Sequence, residues 1–216
     1  QMPVKEMSPH FADGNEVNVA RRVLSSNVTL YVSPNPVNDI FSLDIHYGIG
    51  RIKYPLLSQL ANCLSIVGTK EESYSVFHER LRQLGSVLSF EDTDSEFIIH
   101  VSGFDSTIRE TLLLVKEFMQ NAKVEKRNIR QLKDEMKVAE KAFCNSNESL
   151  AQALFENVVF GANSPFLARP SLRELGKMEG TDFESLFEEI QEYGGDVLYC
   201  GNLELGQVAD MLESIL

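Results

Sequence analysis

"LLSQLANCLSIVGT", Leu56 to Thr69, reads as an apolar helix that stops at a Gly-Thr pair. Leu56, Leu57, Leu60, Leu64 and Val67 recur at helical spacing and form a core-facing stripe. Gln59, Asn62 and Cys63 stand at relative positions 0, 3 and 4, which places them near one another on the helix surface. A zinc site carried on a helix uses this spacing for two ligands one turn apart and a base beside the second. Here two amides and a thiol occupy the three positions. The stretch is therefore a site of altered chemistry, the remains of one, or a plain core helix.

The flanking segments alternate between strands and helices. Upstream, "NVTLYVS" (27–33) reads as a short strand and "PNPVND" (34–39) as a turn. "IFSLDIHYGIG" (40–50) then alternates cleanly, with Phe41, Leu43, Ile45 and Tyr47 on one face and Ser42, Asp44 and His46 on the other. Downstream, Val76, Phe77, Leu81 and Leu84 predict an amphipathic helix over 72–84, closed by Gly85. Strands at 87–91 and 96–102 flank a polar turn and form a hairpin. Asp105 is placed to cap a helix over 106–121. Helices follow at 125–143 and 148–160, with a Ser171/Glu174 capping box further on. The chain closes with a helix over 182–193, a buried strand over 195–201 and a last helix. This order predicts an α+β fold, a largely antiparallel sheet with helices packed on one face. Residues 1–26 are polar and weakly patterned, so a linker or entry arm is expected there, followed by a single domain over 27–216.

Composition narrows the function. The 216 residues carry a net charge of -12, which disfavours nucleic acid and anionic membrane surfaces as partners. No apolar run approaches the roughly 18 residues of a membrane span. "QMPVKEMSPHF" lacks an apolar core, so no signal peptide is expected in this segment. The chain opens on Gln1, and its termini say little about localisation. Cys63, Cys144 and Cys200 are odd in number and far apart, so buried or half-buried free thiols are expected rather than disulfides or a zinc ribbon. No Gly-rich phosphate loop and no Gly-x-Ser-x-Gly nucleophile turn occurs.

The Gly-Thr exit of the opening helix resembles that of the motif helix in the pitrilysin/insulysin family of zinc metallopeptidases, which carries H-x-x-E-H. Counting back from Gly68, the first histidine falls at Gln59, the glutamate at Asn62 and the second histidine at Cys63. The resemblance extends over roughly residues 27–216. "PVNDIFSLDIHYGIG" is similar to the family's opening strand, and "VFHERLRQLGSVLSFEDTDSEFIIHVSGF" to its helix and hairpin. "FGANSPF" (160–166) and "DVLYCGNLELGQVADMLESIL" resemble its later Phe-Gly segment and closing strand and helix.

The resemblance implies a metallopeptidase-like domain that has lost its catalytic residues. Gln59 is a poor zinc ligand, Asn62 has no ionisable group to act as a base, and Cys63 alone does not make a site. The third ligand of the family is a glutamate on a later helix, a position for which Glu135 or Glu140 is the candidate. No zinc is therefore expected in this chain. Zinc is expected in the catalytic half of a parent protein, where H-x-x-E-H would lie. Members of the family resemble two halves closing around a chamber, and this chain resembles the first domain of the half without the motif. The partners implied are the zinc-bearing half, on the same or another chain, and a peptide substrate. No position corresponds to the family's substrate-holding Arg/Tyr pair. The alternative is a stand-alone module used for assembly, as in the family's respiratory-complex core proteins.

By the same resemblance, the polar face of the strand at 40–47 lines the chamber. His46 and His100 are the candidate peptide contacts on it, beside Asp44 and Ser102. His10 and His78 receive no role. The acidic pair Glu188 and Glu189 reads as a solvated helix face.

Overall fold

The structure, a computed structural model, describes residues 19–24 and 28–215. Its centre is the strand Ile40–Tyr47 (β3), whose alternation buries Phe41, Leu43, Ile45 and Tyr47 and leaves Ser42, Asp44 and His46 toward the open face. Phe97–Phe104 (β6) lies antiparallel on one side of it, with Asp44 opposite His100. Gly195–Gly201 (β8) lies antiparallel on the other. Val87–Asp92 (β5) completes a hairpin with β6 and forms one edge. Thr29–Pro34 (β2) pairs parallel with β8, and Ala20–Val23 (β1) forms the other edge against β2. The order is β1-β2-β8-β3-β6-β5, so all the neighbouring pairs but β2–β8 are antiparallel. Gly68–Thr69 (β4) and Ala122–Lys123 (β7) make a separate two-stranded ladder.

The helices Leu57–Leu64 (α1), Tyr74–Gln83 (α2), Ile108–Asn121 (α3), Gly180–Gln191 (α8) and Leu205–Ile215 (α9) bury their apolar stripes in one continuous core with the sheet. Phe118 on α3 stands at the middle of that core, 5.1 Å from Phe77, 5.6 Å from Phe90 and 6.4 Å from Phe187, ring centre to ring centre. Lys126–Cys144 (α4) is held to this layer at its first turns, where Asn128, Ile129 and Leu132 are buried. Asn147–Phe160 (α5) follows, and none of its residues is buried. Short helices Pro165–Ala168 (α6) and Leu172–Leu175 (α7) return the chain, the latter on the expected Ser171/Glu174 capping box.

Three expectations are corrected. Ala20–Val23 is an edge strand of the sheet, although it falls within the stretch expected as an arm. Edge pairing uses backbone groups, and three of its four residues are exposed, so no apolar pattern announced it. Residues 1–18, including His10, lie outside the described residues. Asp105 does not cap α3. It sits in a 3-10 turn (Asp105–Thr107), and its carboxylate accepts hydrogen bonds from the Tyr199 hydroxyl (2.7 Å) and the Asn202 backbone N–H (3.3 Å). It therefore ties the start of α3 to the end of β8. Of the cysteines, Cys63 is buried, but Cys144 and Cys200 are exposed. The end of α4 projects beyond the core, and Cys200 lies on the open face of β8, opposite Ser42.

Candidate functional site

The helix α1 packs against β5 and α4. Two hydrogen bonds set its relation to α4. The buried Asn128 side chain donates to the Ile66 carbonyl (3.1 Å), just past the end of α1, while its oxygen accepts the Glu125 N–H (3.0 Å) at the start of α4. The second bond is half of a capping box with Glu125. The first turn of α4 is thus fixed beside the exit of α1, and the next turns run along it.

Between the two helices lies a cavity of about 540 Å³, a size common for small-ligand sites. Gln59 and Asn62 line it from α1, and Glu135 and Glu140 line it from α4. The structure therefore brings together the amides at two motif positions and both glutamates that are candidates for the third-ligand position. The rest of the wall is largely apolar. Met136 and Phe143 come from α4, and Phe166 from α6 stacks on Phe143 at 4.7 Å. Arg169 closes the outer end, its guanidinium 5.2 Å from the Phe166 ring centre. The Phe160–Phe166 segment thus supplies an aromatic of this wall, a placement that its sequence alone does not announce.

Cys63 does not join them. It is fully buried, and burial, with Glu184 nearby, pushes its thiol from an ordinary 9.0 up to about 12. At neutral pH it is a protonated core side chain. Zinc binds thiolate, imidazole or carboxylate, and a four-coordinate site needs several such donors. Two amides and an inward thiol do not fit it. Among the described residues, no group of three or more His, Cys, Asp and Glu is placed to hold a metal ion. Two expected results follow. A disulfide exchange reagent reacts rapidly with Cys144 and Cys200 in the native protein and with Cys63 only after unfolding, as read by thiol release.

The second concerns alkaline stability. The folded chain keeps the Cys63 proton above pH 9, where the unfolded chain loses it, and burial likewise pushes Tyr47 from 10.0 up to about 12. The unfolded state then binds fewer protons, so stability is full below pH 9 and falls as pH rises toward 12. Each such group contributes up to about 1.4 kcal/mol per pH unit. Denaturation of the Cys63→Ala variant across this range is expected to give a slope shallower by about that amount. An unchanged slope contradicts the burial of the thiol.

His46 and His100 lie on the open face of the sheet, and neither lines the α1–α4 cavity. His100 sits between two acids, with Nδ1 2.8 Å from Asp44 Oδ1 and Nε2 3.1 Å from Glu91 Oε2. His46 Nδ1 is 3.5 Å from Glu96 Oε2. Each histidine thus has its own carboxylate partners, and the two do not converge on a point. His46 also lines a separate cavity of about 510 Å³, with Leu24, Met119 and Tyr193. Among the described residues, no helix is long and apolar enough to cross a membrane.

No family model matches the sequence, and no curated protein matches it either. Solved structures do match the fold. A protease from Helicobacter pylori superposes with a TM-score of 0.76 at 12% identity, over 93% of this chain and 50% of its own. A peptidase M16 inactive domain from Pseudomonas fluorescens gives 0.77 at 13% identity, over 92% and 50%. The periplasmic protease PqqL from Escherichia coli gives 0.77 at 11% identity, over 100% and 26%. The chain therefore has the fold of M16-type peptidase domains, and it spans half or less of the length of these structures.

Proposed function

We propose that this chain is a non-catalytic domain of a larger zinc-dependent metallopeptidase. It forms part of the wall of the peptide-binding chamber and pairs with the zinc-bearing half. One observation carries the reading. In a fold like that of M16 peptidase domains, Gln59 and Asn62 face the same cavity as Glu135 and Glu140, and two amides stand where a zinc site needs a ligand and a base. The scaffold has kept the arrangement without the donors. Zinc, the general base and peptide hydrolysis then belong to the parent's other half. The open sheet face, with His46 and His100 half-exposed beside Asp44, is the surface proposed to meet the peptide. An extended peptide can add to a sheet edge such as β5, where unpaired backbone groups supply the hydrogen bonds.

Pairing is supported by α5. Leu154, Phe155, Val158 and Val159 are each more than half exposed, and an apolar surface of this kind marks a contact with another protein surface. The same exposure favours the second reading, a stand-alone module that uses the fold for assembly. The parent reading frame separates the two. A frame that also encodes H-x-x-E-H, with a product that copurifies as one peptidase, supports the first. A frame ending near residue 216, with no zinc-bearing partner recovered, overturns it in favour of the second.

A further inference from the structure

We propose that the α1–α4 cavity binds an organic cation on an apolar stem, a primary ammonium or guanidinium group as carried by a lysine or arginine side chain. The cation chemistry rests on the cavity alone; its supply by a peptide rests on the reading of the chain as a chamber wall.

The cavity has the two parts such a ligand needs. Its floor is apolar, with Met136, Phe143 and Phe166 side by side, and an alkyl stem packs on such a surface while its charged head reaches polar groups. Its polar groups include two carboxylates, which only accept when ionised. Gln59 lines the cavity, and its Oε1 has no hydrogen-bond partner among the described residues. Glu135 accepts only from the Gln131 amide (2.9 Å), and Glu140 makes no hydrogen bond or ion pair with any described residue. An ammonium brings three donors and no acceptor, and a guanidinium five. Either can pair with the two carboxylates, whereas a neutral alkyl chain cannot.

Charge points the same way. Two carboxylates line the cavity, and Arg169 is the one cation that does so among the described residues. That guanidinium lies over the Phe166 ring and makes no ion pair with a described acid. Phe143, Phe166 and Arg169 also wall a second cleft of about 390 Å³, to which Glu148 and Glu156 belong. The walls of the two clefts carry four carboxylates and one guanidinium, an excess that disfavours an acidic ligand and favours a cationic one.

The test is a titration of the 216-residue chain followed by NMR or calorimetry. The probes are the capped pentapeptide Ala-Ala-Lys-Ala-Ala, the same peptide with norleucine or glutamate at its centre, and n-butylammonium. The lysine peptide is expected to bind about tenfold more tightly than the norleucine one, with no binding of the glutamate one. Glu140→Gln is expected to weaken lysine binding about fivefold, while Glu188→Gln, on another helix, leaves it unchanged. Norleucine binding as tight as lysine, or an indifferent Glu140→Gln, overturns the proposal. A lysine peptide tighter than n-butylammonium supports a peptide source, and equal affinity supports the same pocket serving free amines. Pairing with the zinc-bearing half that persists without a lysine preference overturns this inference alone. A lysine preference without any pairing overturns the proposed function alone.

Discussion

Phe118→Ala is expected to lower the unfolding free energy by about 3–5 kcal/mol. The side chain is 1% exposed and stacks among Phe77, Phe90 and Phe187, which come from α2, β5 and α8. Removing it costs the transfer of a whole ring and leaves a cavity whose aromatic walls belong to three different elements. Those walls cannot all collapse inward at once, which sets the cost at the upper part of the usual range. Single domains are stable by about 5–15 kcal/mol, so this one change removes a large fraction of the total. Denaturant titration at fixed pH measures it. A loss below about 1 kcal/mol contradicts the placement of α3 between the sheet and α2 and α8.

Leu154→Asp combined with Val158→Asp is expected to behave in the opposite way. The two residues are one turn apart on α5 and are 68% and 84% exposed. Neither contributes to the core, so the stability of the isolated chain moves by no more than about 0.5 kcal/mol per site. If α5 forms the proposed contact with a zinc-bearing half, the same residues become buried there. Each aspartate then loses an apolar anchor and places a charge in an apolar contact, and the two together weaken pairing by more than about a hundredfold. Analytical ultracentrifugation of the mixed halves reads the effect. Wild-type affinity for the double variant removes α5 from the interface.

Much of the fold could be read from side-chain periodicity. The alternation from Phe41 to Tyr47 set the faces of β3, and the observed register puts Asp44 against His100, as the shared polar face implied. What escaped was structure that leaves no apolar trace. β1 is held by backbone pairing at an edge, with mostly exposed side chains. Asp105 has the sequence signature of a cap, but the Tyr199 hydroxyl and a backbone N–H of the β8 turn take its carboxylate. Such competition between local and distant partners is not visible in spacing.

The candidate site was legible in half. Counting from Gly68 located Gln59 and Asn62, and both line one cavity with Glu135 and Glu140. Cys63 was expected beside them and is not. On a helix of 3.6 residues per turn, Asn62 lies about 60° from Gln59 one way and Cys63 about 40° the other. A cavity centred between Gln59 and Asn62 therefore leaves Cys63 turned to the core, among Leu60 and Leu64. The aromatic wall was hidden for another reason. Phe143 and Phe166 are far apart in sequence, and only the return of the chain after α5 stacks them.

The domain is proposed to keep a peptidase scaffold without peptidase chemistry. Metal analysis of the purified 216-residue chain after equilibration with excess zinc, with cleavage of an unfolded reporter peptide followed in the same sample, tests it most directly. No stoichiometric zinc and no cleavage are expected. One zinc per chain, with cleavage that a chelator abolishes, contradicts it.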